Sequence, residues 1–231
     1  MRVIRFFDIF SGIGGFRSGL EASGGFECVG HCEIDKYANQ AYNAIYQPKE
    51  GEVFFEDATK INPYDIPDFD LLCGGFPCQT FSIAGKRAGF NDTRGTLFFE
   101  IARIIAVKRP KYLLLENVPG LLSHDQGWTY TTILGALSKL GYDAAWQNLN
   151  SKDFGVPQNR ERVFVVGYLR ERCTGKVLSF THSNPKNLNQ ITSGRQGERI
   201  YATDGLSITV TSNAGGFAGN TGIYLEADRK G

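Results

Sequence analysis

The chain has 231 residues, of which 42% are hydrophobic and 21% are charged. This composition excludes wholesale disorder, and no apolar run approaches the ~18 residues that span a bilayer. The N-terminal segment meets an acidic residue, Asp8, before the core of a signal peptide could form. Five cysteines without CxxC spacing argue against a disulfide framework and for a reducing compartment. We therefore predict a cytosolic protein.

The small net charge of +1 hides an uneven distribution along the chain. Residues 1–70 carry 6 Lys and Arg against 12 Asp and Glu, whereas residues 71–182 carry 14 against 8. The basic middle third is compatible with a polyanionic partner. A solvated surface with uneven charge explains the same numbers, and charge alone favours that second interpretation. The three histidines are scattered, and we predict no metal site.

Short apolar runs alternate with helical patterns along the first 170 residues. Strands are predicted at 3–10, 26–32, 52–55, 69–73 and 111–115, with a late pair at 144–149 and 163–168. Helices are predicted from the turn at 11–15 to about 24, and at 36–46, 96–108 and 128–140. This alternation indicates βαβ units, a mainly parallel sheet and the α/β class. Functional residues should then lie beyond the carboxyl ends of the strands.

The composition changes after about residue 180. Residues 182–222 are rich in Asn, Ser, Thr and Gly, with only short apolar stretches such as 206–210. We therefore predict two parts, a main domain at 1–180 and a small, loop-rich, β-type appendage at 181–231.

A glycine turn, Ser11-Gly12-Ile13-Gly14-Gly15, joins the first predicted strand to a helix. Small residues at such a junction let a ligand approach the N–H groups of the helix N-terminus. The dinucleotide fingerprint would need a third glycine where this chain has Arg17. Glu33 ends the second strand, where a carboxylate can accept both ribose hydroxyls. Asp57 follows the third strand and could accept from an adenine amino group, so together these features indicate a nucleoside cofactor.

The segment Gly74-Gly75-Phe76-Pro77-Cys78-Gln79 directly follows an apolar strand. Pro77 has a fixed φ and favours an extended Phe76, so the turn is stiff. It presents the Cys78 thiol at an exposed strand tip. The remaining cysteines, at 28, 32, 73 and 173, are expected to be buried small hydrophobic residues, as most free cysteines are.

Four segments occur in the order found in one enzyme family. They are Asp8-Ile-Phe-Ser-Gly-Ile-Gly-Gly-Phe16, Gly74-Gly-Phe-Pro-Cys-Gln-Thr-Phe-Ser82, Glu116-Asn117-Val118 and Gln158-Asn-Arg-Glu-Arg162. On these motifs the chain closely resembles the DNA (cytosine-5) methyltransferases from about residue 3 to 170, and more loosely to residue 225. The resemblance implies a Rossmann-like, S-adenosylmethionine-dependent fold with helices on both faces of the sheet. It further implies methylation of cytosine C5 in double-stranded DNA, a bacterial or phage source, and a partial target-recognition region at 181–231.

The resemblance also assigns roles residue by residue. The cofactor site would be lined by Phe10, Ser11, Gly12, Gly14, Gly15, Glu33, Ile34, Asp57, Ala58, Phe76, Pro77 and Leu97. Ile34 stands where the family often has an aromatic residue over the adenine, which weakens stacking there. Cys78 would attack C6 of the cytosine. Glu116 would bond to N3 and the exocyclic amine, with Arg162 near the base carbonyl and Arg160 bracing a phosphate or Glu116.

The target base must leave the stacked duplex before its C6 face can be reached. The glycine-punctuated segment after Cys78 would close over the flipped nucleotide and hold its phosphates. The DNA-binding residues expected there are Gln79, Ser82, Lys86, Arg87 and Arg94. A loop that is only solvated is the alternative for this segment, as an ordinary edge-strand ion pair is for Arg160 and Arg162.

The family usually continues beyond the recognition region with a returning segment and a final helix, and this sequence contains neither. A piece of a longer protein, one subunit of a split enzyme completed by a second polypeptide, and a degenerate copy all stay open. In each case we expect an exposed apolar patch beside the first strand and weak cofactor binding by the isolated chain.

Three other functions compete with DNA methylation. The first two are a catalytically idle DNA-binding subunit and an RNA (tRNA) methyltransferase, which would use the same fold and, in the second case, the same catalytic groups. The third is a Rossmann oxidoreductase. Arg17 disfavours this third function, which also leaves Cys78, Glu116 and Arg162 without a common role.

Overall fold

The computed structural model describes residues 2–77, 97–155 and 157–172, together with three short strands at 200–202, 207–208 and 223–225. The strands are β1 (Ile4–Ile9), β2 (Phe26–Cys32), β3 (Val53–Phe55), β4 (Leu71–Gly75), β5 (Tyr112–Asn117), β6 (Tyr142–Asn150), β7 (Gln158–Asn159), β8 (Glu161–Leu169), β9 (Ile200–Ala202), β10 (Ser207–Ile208) and β11 (Ile223–Leu225). The helices are α1 (Gly15–Ser23), α2 (Lys36–Tyr46), α3 (Leu97–Lys108), α4 (Gly120–Ser123) and α5 (Trp128–Lys139).

Seven strands form one sheet in the order β3-β2-β1-β4-β5-β8-β6. β1 to β5 run parallel to one another, and β8 runs antiparallel to β5. The predicted α/β class with a mainly parallel sheet is therefore confirmed. β1 has β2 on one side and β4 on the other, so the order in which strands are added reverses between β1 and β4. Such a reversal leaves a crevice beyond the carboxyl ends of the two strands, where open α/β sheets bind ligands.

Four strands, β4, β5, β6 and β8, extend further than the sequence predicts, and the extensions of β4 and β5 bear on the predicted site. β4 continues to Gly75 and β5 to Asn117. Gly75 pairs with Glu116 across these strands, and Asn117 pairs with Val163 of β8. Each extension thus depends on a partner strand that is remote in sequence. As a result Glu116, expected just after β5, is the penultimate residue of that strand.

A continuous apolar core packs against the sheet. The fully buried side chains in it include Phe7, Ile9, Ile101, Ile104 and Ile105. The i, i+3, i+4 spacing of the three isoleucines gives α3 one apolar face. The three described cysteines, at 28, 32 and 73, are buried free thiols, as predicted.

The chain divides into two compact units. The first comprises Met1–Gln147 and Val163–Leu178, and the second comprises Asn148–Arg162 and Ser179–Gly231. Within the second unit β7 pairs with β10 and β9 pairs with β11, both in parallel. The domain boundary predicted at residue 180 falls outside the described residues and stays a prediction. Among the helices of the described residues, none is long and apolar enough to cross a membrane.

Candidate functional site

The residues predicted to bind a cofactor lie at one edge of the sheet. They follow β1 (residues 10–15), β2 (residues 33 and 34), β3 (residues 57 and 58) and β4 (residues 76 and 77), while Leu97 begins α3. Because β1 to β4 are parallel, their carboxyl ends meet at the same edge. The fold thereby brings together segments that are separated by up to 60 residues along the chain.

The glycines of the turn after β1 differ in whether a side chain could be accommodated at their position. Gly12 (φ 55°) and Gly14 (φ 89°) both adopt positive φ, which favours glycine, and Phe10 shares this conformation at φ 56°. A Cβ on Gly14 would overlap the ring of Tyr46, whose hydroxyl donates to the Gly14 carbonyl at 2.6 Å. A Cβ on Gly12 or Gly15 would meet nothing within 4 Å. Gly14 is therefore needed for packing, whereas the surface at Gly12 and Gly15 is open to a ligand.

Glu33 is fixed against this turn by two backbone donors. The N–H of Gly12 donates to its Oε2 at 2.7 Å, and the N–H of Asp35 donates to its Oε1 at 2.8 Å. Each carboxylate oxygen can accept about two hydrogen bonds, so both keep acceptor capacity for a ligand. Ile34 is 70% exposed and Ile13 is 60% exposed, so apolar surface borders the carboxylate.

Asp57 caps the short 3₁₀ turn Ala58–Lys60 that follows β3. Its Oδ1 accepts from the N–H and the hydroxyl of Thr59, at 2.9 and 2.7 Å, and these hydrogen bonds lower the pKa of the carboxyl group. Arg103 of α3 donates to the carbonyl of Ala58 at 3.1 Å. The helix therefore positions the turn that carries Asp57.

The tip of β4 lies against Glu116. A Cβ on Gly75 would lie only 2.8 Å from Oε2 of Glu116, so the absence of a side chain at Gly75 makes room for this carboxyl group. Asn117 is buried, and its Nδ2 donates to the carbonyl of Phe76 at 2.8 Å. Phe76 in turn packs against Phe98 of α3, with 5.6 Å between the ring centroids. These contacts fix the backbone that leads through residue 77 towards residue 78.

Several predicted site residues cannot be compared with this geometry. Those outside the described residues are Cys78, Gln79, Ser82, Lys86, Arg87 and Arg94. Arg160 and Arg162 belong to the second unit. The Arg160 N–H donates to Oδ1 of Asn150 at 3.1 Å, and Nη1 of Arg162 donates to the Glu161 carbonyl at 2.6 Å. The roles of all these residues stay predictions.

Asp8, near the carboxyl end of β1, is a buried acid for which the sequence predicts no role. Its side chain is fully buried, and Oδ1 lies 3.7 Å from Sγ of Cys73. Within the described residues, neither its Oδ2 nor the buried hydroxyl of Ser11 has a hydrogen-bond partner. Burial raises the pKa of the Asp8 carboxyl from its ordinary 3.8 to about 7. The Asp8 carboxyl group, next to the glycine turn, therefore gains or loses its proton near neutral pH.

This shift has a consequence for stability. Between about pH 4 and 7 folded Asp8 holds a proton that the unfolded chain releases, so its contribution to the free energy of unfolding falls as the pH rises and is constant above 7. We expect the stability of Asp8→Asn relative to wild type to increase by up to about 4 kcal/mol from pH 4 to 8. Urea unfolding of both proteins across this range measures the difference. Burial lowers the pKa of His31 as well, but His31 is present in both proteins and its effect cancels in the difference. A difference that does not change with pH would show that Asp8 is ionised throughout.

Four positioning residues were not identified as such from the sequence: Arg17, Tyr46, Arg103 and Asn117. Arg17 is 2% exposed and forms a bidentate pair with Glu52, at 2.6 and 3.1 Å, which ties α1 to the segment before β3. Its guanidinium also lies 4.7 Å from the centroid of the Tyr46 ring. Only Asn117 stood in a recognised motif. The other three reach the site from separate elements, and no local spacing reveals such contacts.

Comparison with known proteins adds independent findings. A family profile described as "C-5 cytosine-specific DNA methylase" matches residues 4–213. The chain is 37% identical to the Type II methyltransferase M.HhaI of Haemophilus parahaemolyticus, over 96% of this chain and 78% of that protein. It is 53% identical to the Type II methyltransferase M.NgoBI of Neisseria gonorrhoeae, over 70% of this chain and 49% of that protein. It thus spans most of the first relative and about half of the second.

Solved structures share the fold at lower identity. A DNMT2 mutant of Spodoptera frugiperda has a TM-score of 0.72 and 19% identity, covering 98% of this chain and 76% of that one. The Dnmt2 methyltransferase of S. pombe has a TM-score of 0.70 and 20% identity, covering 99% and 78%. At this identity the likeness establishes the fold alone.

Proposed function

This chain belongs to the C-5 cytosine-specific DNA methylase family, and we propose that it methylates carbon 5 of cytosine in duplex DNA with S-adenosylmethionine as the methyl donor. The observation that carries the proposal is the pairing of Glu116 on β5 with Gly75 on β4, where the missing side chain of Gly75 leaves room for the carboxyl group. It supports an arrangement in which a carboxyl group lies beside the turn leading to Cys78, at the same edge of the sheet as the glycine turn.

The residues present fit a nucleoside cofactor of positive charge. The open surface at Gly12 and Gly15 would admit the ligand, and the oriented Glu33 carboxylate would accept the ribose hydroxyls. The exposed Ile34 would cover one face of the adenine, and Asp57 would accept from its amino group. When bound, S-adenosylmethionine supplies an electrophilic methyl group. The acidic surroundings of this edge favour its sulfonium and ammonium charges.

The remaining chemistry would be carried by side chains of the chain itself. Carbon 5 of cytosine is a weak nucleophile, and addition of the Cys78 thiolate to the neighbouring C6 converts it into an enamine carbon. The bond from Sγ to C6 forms as the C5–C6 π pair shifts to C4–C5 and the C4–N3 π pair moves onto N3, which takes up a proton. Once C5 carries the methyl group and N3 has returned its proton, the C5 proton passes to solvent. Its bonding pair then re-forms the C5–C6 double bond, the thiolate leaves, and the ring is aromatic again.

Glu116 would stabilise the charge that develops on the ring. Its carboxyl group would bond to N3 and the exocyclic amine and supply a proton to N3 during attack. The rigid Asn117–Phe76 contact supports this role, because it holds the two strand ends at a constant separation. Arg162 and Arg160 are proposed, from the sequence motif, to bind the base carbonyl and a phosphate.

The profile that matches residues 4–213 is described as that of a cytosine-specific DNA methylase. We therefore favour DNA over RNA. The test measures transfer of a tritiated methyl group to unmethylated mixed-sequence duplex DNA and, separately, to tRNA. Labelled DNA with unlabelled tRNA is the expected result. Labelled tRNA alone would overturn the choice of substrate, and no label on either would support the idle DNA-binding subunit.

The proposed role of Glu33 makes a prediction about cofactor affinity. Glu33→Gln should raise the Kd for S-adenosylmethionine about 10- to 100-fold, since a charge-assisted hydrogen bond to a ribose hydroxyl becomes a neutral one. Calorimetric titration measures the Kd. Glu56→Gln, which removes an exposed carboxylate from the same edge, is the matched control and should leave it unchanged. An unaltered Kd in a folded Glu33→Gln protein would exclude this contact.

A further inference from the structure

A second pocket, of about 470 Å³, lies in the first unit, away from the site described above. Eight residues line it: Arg2, Arg5, Asp68, Phe69, Asp70, Lys108, Lys111 and Arg172. Its volume is in the range of small-molecule sites. Five of these residues are cationic and two are acidic, so the lining carries a net charge of three positive.

The pocket is at the opposite edge of the sheet from the glycine turn. Asp70 and Lys111 directly precede β4 and β5, and Arg5 is the second residue of β1. The Asp70 N–H donates to the Arg5 carbonyl at 2.8 Å, and the Tyr112 N–H donates to the Asp70 carbonyl at 2.9 Å. These bonds place the amino ends of three parallel strands side by side. A strand of six residues separates the two edges by roughly 20 Å.

Three of the pocket's five cations form ion pairs with its two carboxylates. Asp70 Oδ1 pairs with Arg2 at 3.2 Å and with Lys111 at 3.3 Å. Asp68 Oδ1 pairs with Lys108 at 2.7 Å. Within the described part of the chain, the guanidinium groups of Arg5 and Arg172 make neither a hydrogen bond nor an ion pair.

The backbone places Arg172 beside the other cations. The Leu169 N–H donates to the Lys111 carbonyl at 3.0 Å, and the Arg172 N–H donates to the Leu169 carbonyl at 3.0 Å. A guanidinium presents a planar fork of N–H donors that matches two phosphate oxygens. Two guanidinium groups without an ion-pair partner among the described residues, in a pocket of net positive charge, are suited to the oxygens of a phosphate group.

We propose that this pocket binds a phosphate group, free in solution or in a nucleic-acid backbone, through Arg5 and Arg172. The site does not depend on the proposed methyl transfer. Asp68 and Asp70 pair with the other three cations, so Arg5 and Arg172 are the two that can bind a phosphate without first breaking an ion pair.

The test uses the full chain and inorganic pyrophosphate as the probe. Calorimetry at low salt should give saturable binding by wild type that is weakened about tenfold in Arg5→Gln/Arg172→Gln, since two charge-assisted contacts are lost. Lys49→Gln/Lys139→Gln removes two exposed lysines elsewhere in the first unit and should bind as wild type does. The single variant Arg172→Gln, in the turn after β8, should give an intermediate Kd and keeps the test independent of any disturbance of β1.

A second measurement distinguishes the source of the phosphate. A labelled duplex of A·T pairs contains no cytosine, so it cannot engage the proposed catalytic site. If the pocket holds a duplex phosphate, the slope of log affinity against log salt falls by about 0.9 per lost contact in the double variant. An unchanged slope with weakened pyrophosphate binding assigns the pocket to free phosphate anions. No pyrophosphate binding by wild type, or equal binding by all variants, would overturn the proposal.

Discussion

Cys78→Ala is expected to lower methyl transfer to duplex DNA by at least about 10⁴-fold, because no other group can add to C6 and activate C5. The variant should keep the cofactor site, because Cys78 is not among the residues predicted to line it. Incubation with cofactor and a duplex that contains 5-fluorocytosine tests the covalent step directly. Wild type should form an adduct that survives denaturing electrophoresis, since this base carries fluorine in place of the C5 proton that must leave. Cys78→Ala should form none.

The matched control for this experiment is Cys173→Ala, which makes the same change at a cysteine without an assigned role. It should trap the fluorinated duplex as wild type does. An adduct formed by Cys78→Ala, or one lost only in Cys173→Ala, would refute Cys78 as the nucleophile. Calorimetry with S-adenosylmethionine on both variants separates a chemical defect from an unfolded protein.

Glu116→Gln is expected to lower kcat by about 10²- to 10⁴-fold with little change in KM. Glutamine has nearly the same size, so it can occupy the space beside Gly75 and still hydrogen-bond to the cytosine edge. It cannot supply a proton to N3, and the loss should therefore fall on the chemical step. Single-turnover transfer to duplex DNA, compared with steady-state kinetics, measures where the rate is lost.

The appropriate control is Glu27→Gln, which neutralises an exposed carboxylate on β2. Its kcat should equal that of wild type. A further variant, Gly75→Ala, places a Cβ 2.8 Å from Oε2 of Glu116 and should displace the carboxyl group without changing its charge. A wild-type kcat in Glu116→Gln would remove this residue from the mechanism, whatever Gly75→Ala does.

The type and order of most elements follow from local patterns. β2 and α2 begin and end at the predicted residues, because a period of two or 3.6 and adjacent turn residues mark their limits within a few positions. Strand ends that depend on a remote partner are less predictable. β5 gains Glu116 by pairing with Gly75 of β4 and Phe164 of β8, and it gains Asn117 by pairing with Val163 of β8. Each of these partners is more than 40 residues away in the sequence.

In the candidate site, too, the identity of a residue is predictable from local sequence, whereas its contacts depend on remote parts of the chain. Glu33 is predictable from its place after a strand, yet its orientation depends on donors from Gly12 and Asp35 in the folded chain. The importance of Gly14 is visible in the sequence as part of a glycine turn. Its reason is not, because the Tyr46 ring that excludes a Cβ comes from the far end of α2.

The sequence alone determines the α/β alternation, the motifs of the methylase family and the identity of the groups proposed for its chemistry. Each of these features depends only on residues that are close together in the sequence. The tertiary structure alone decides that Glu116 lies across from Gly75, that Asp8 is buried without a full set of partners, and that five cations converge at the amino ends of the strands. The physical reason is that burial and contact depend on which strands become neighbours. That choice is made by long-range packing of the sheet.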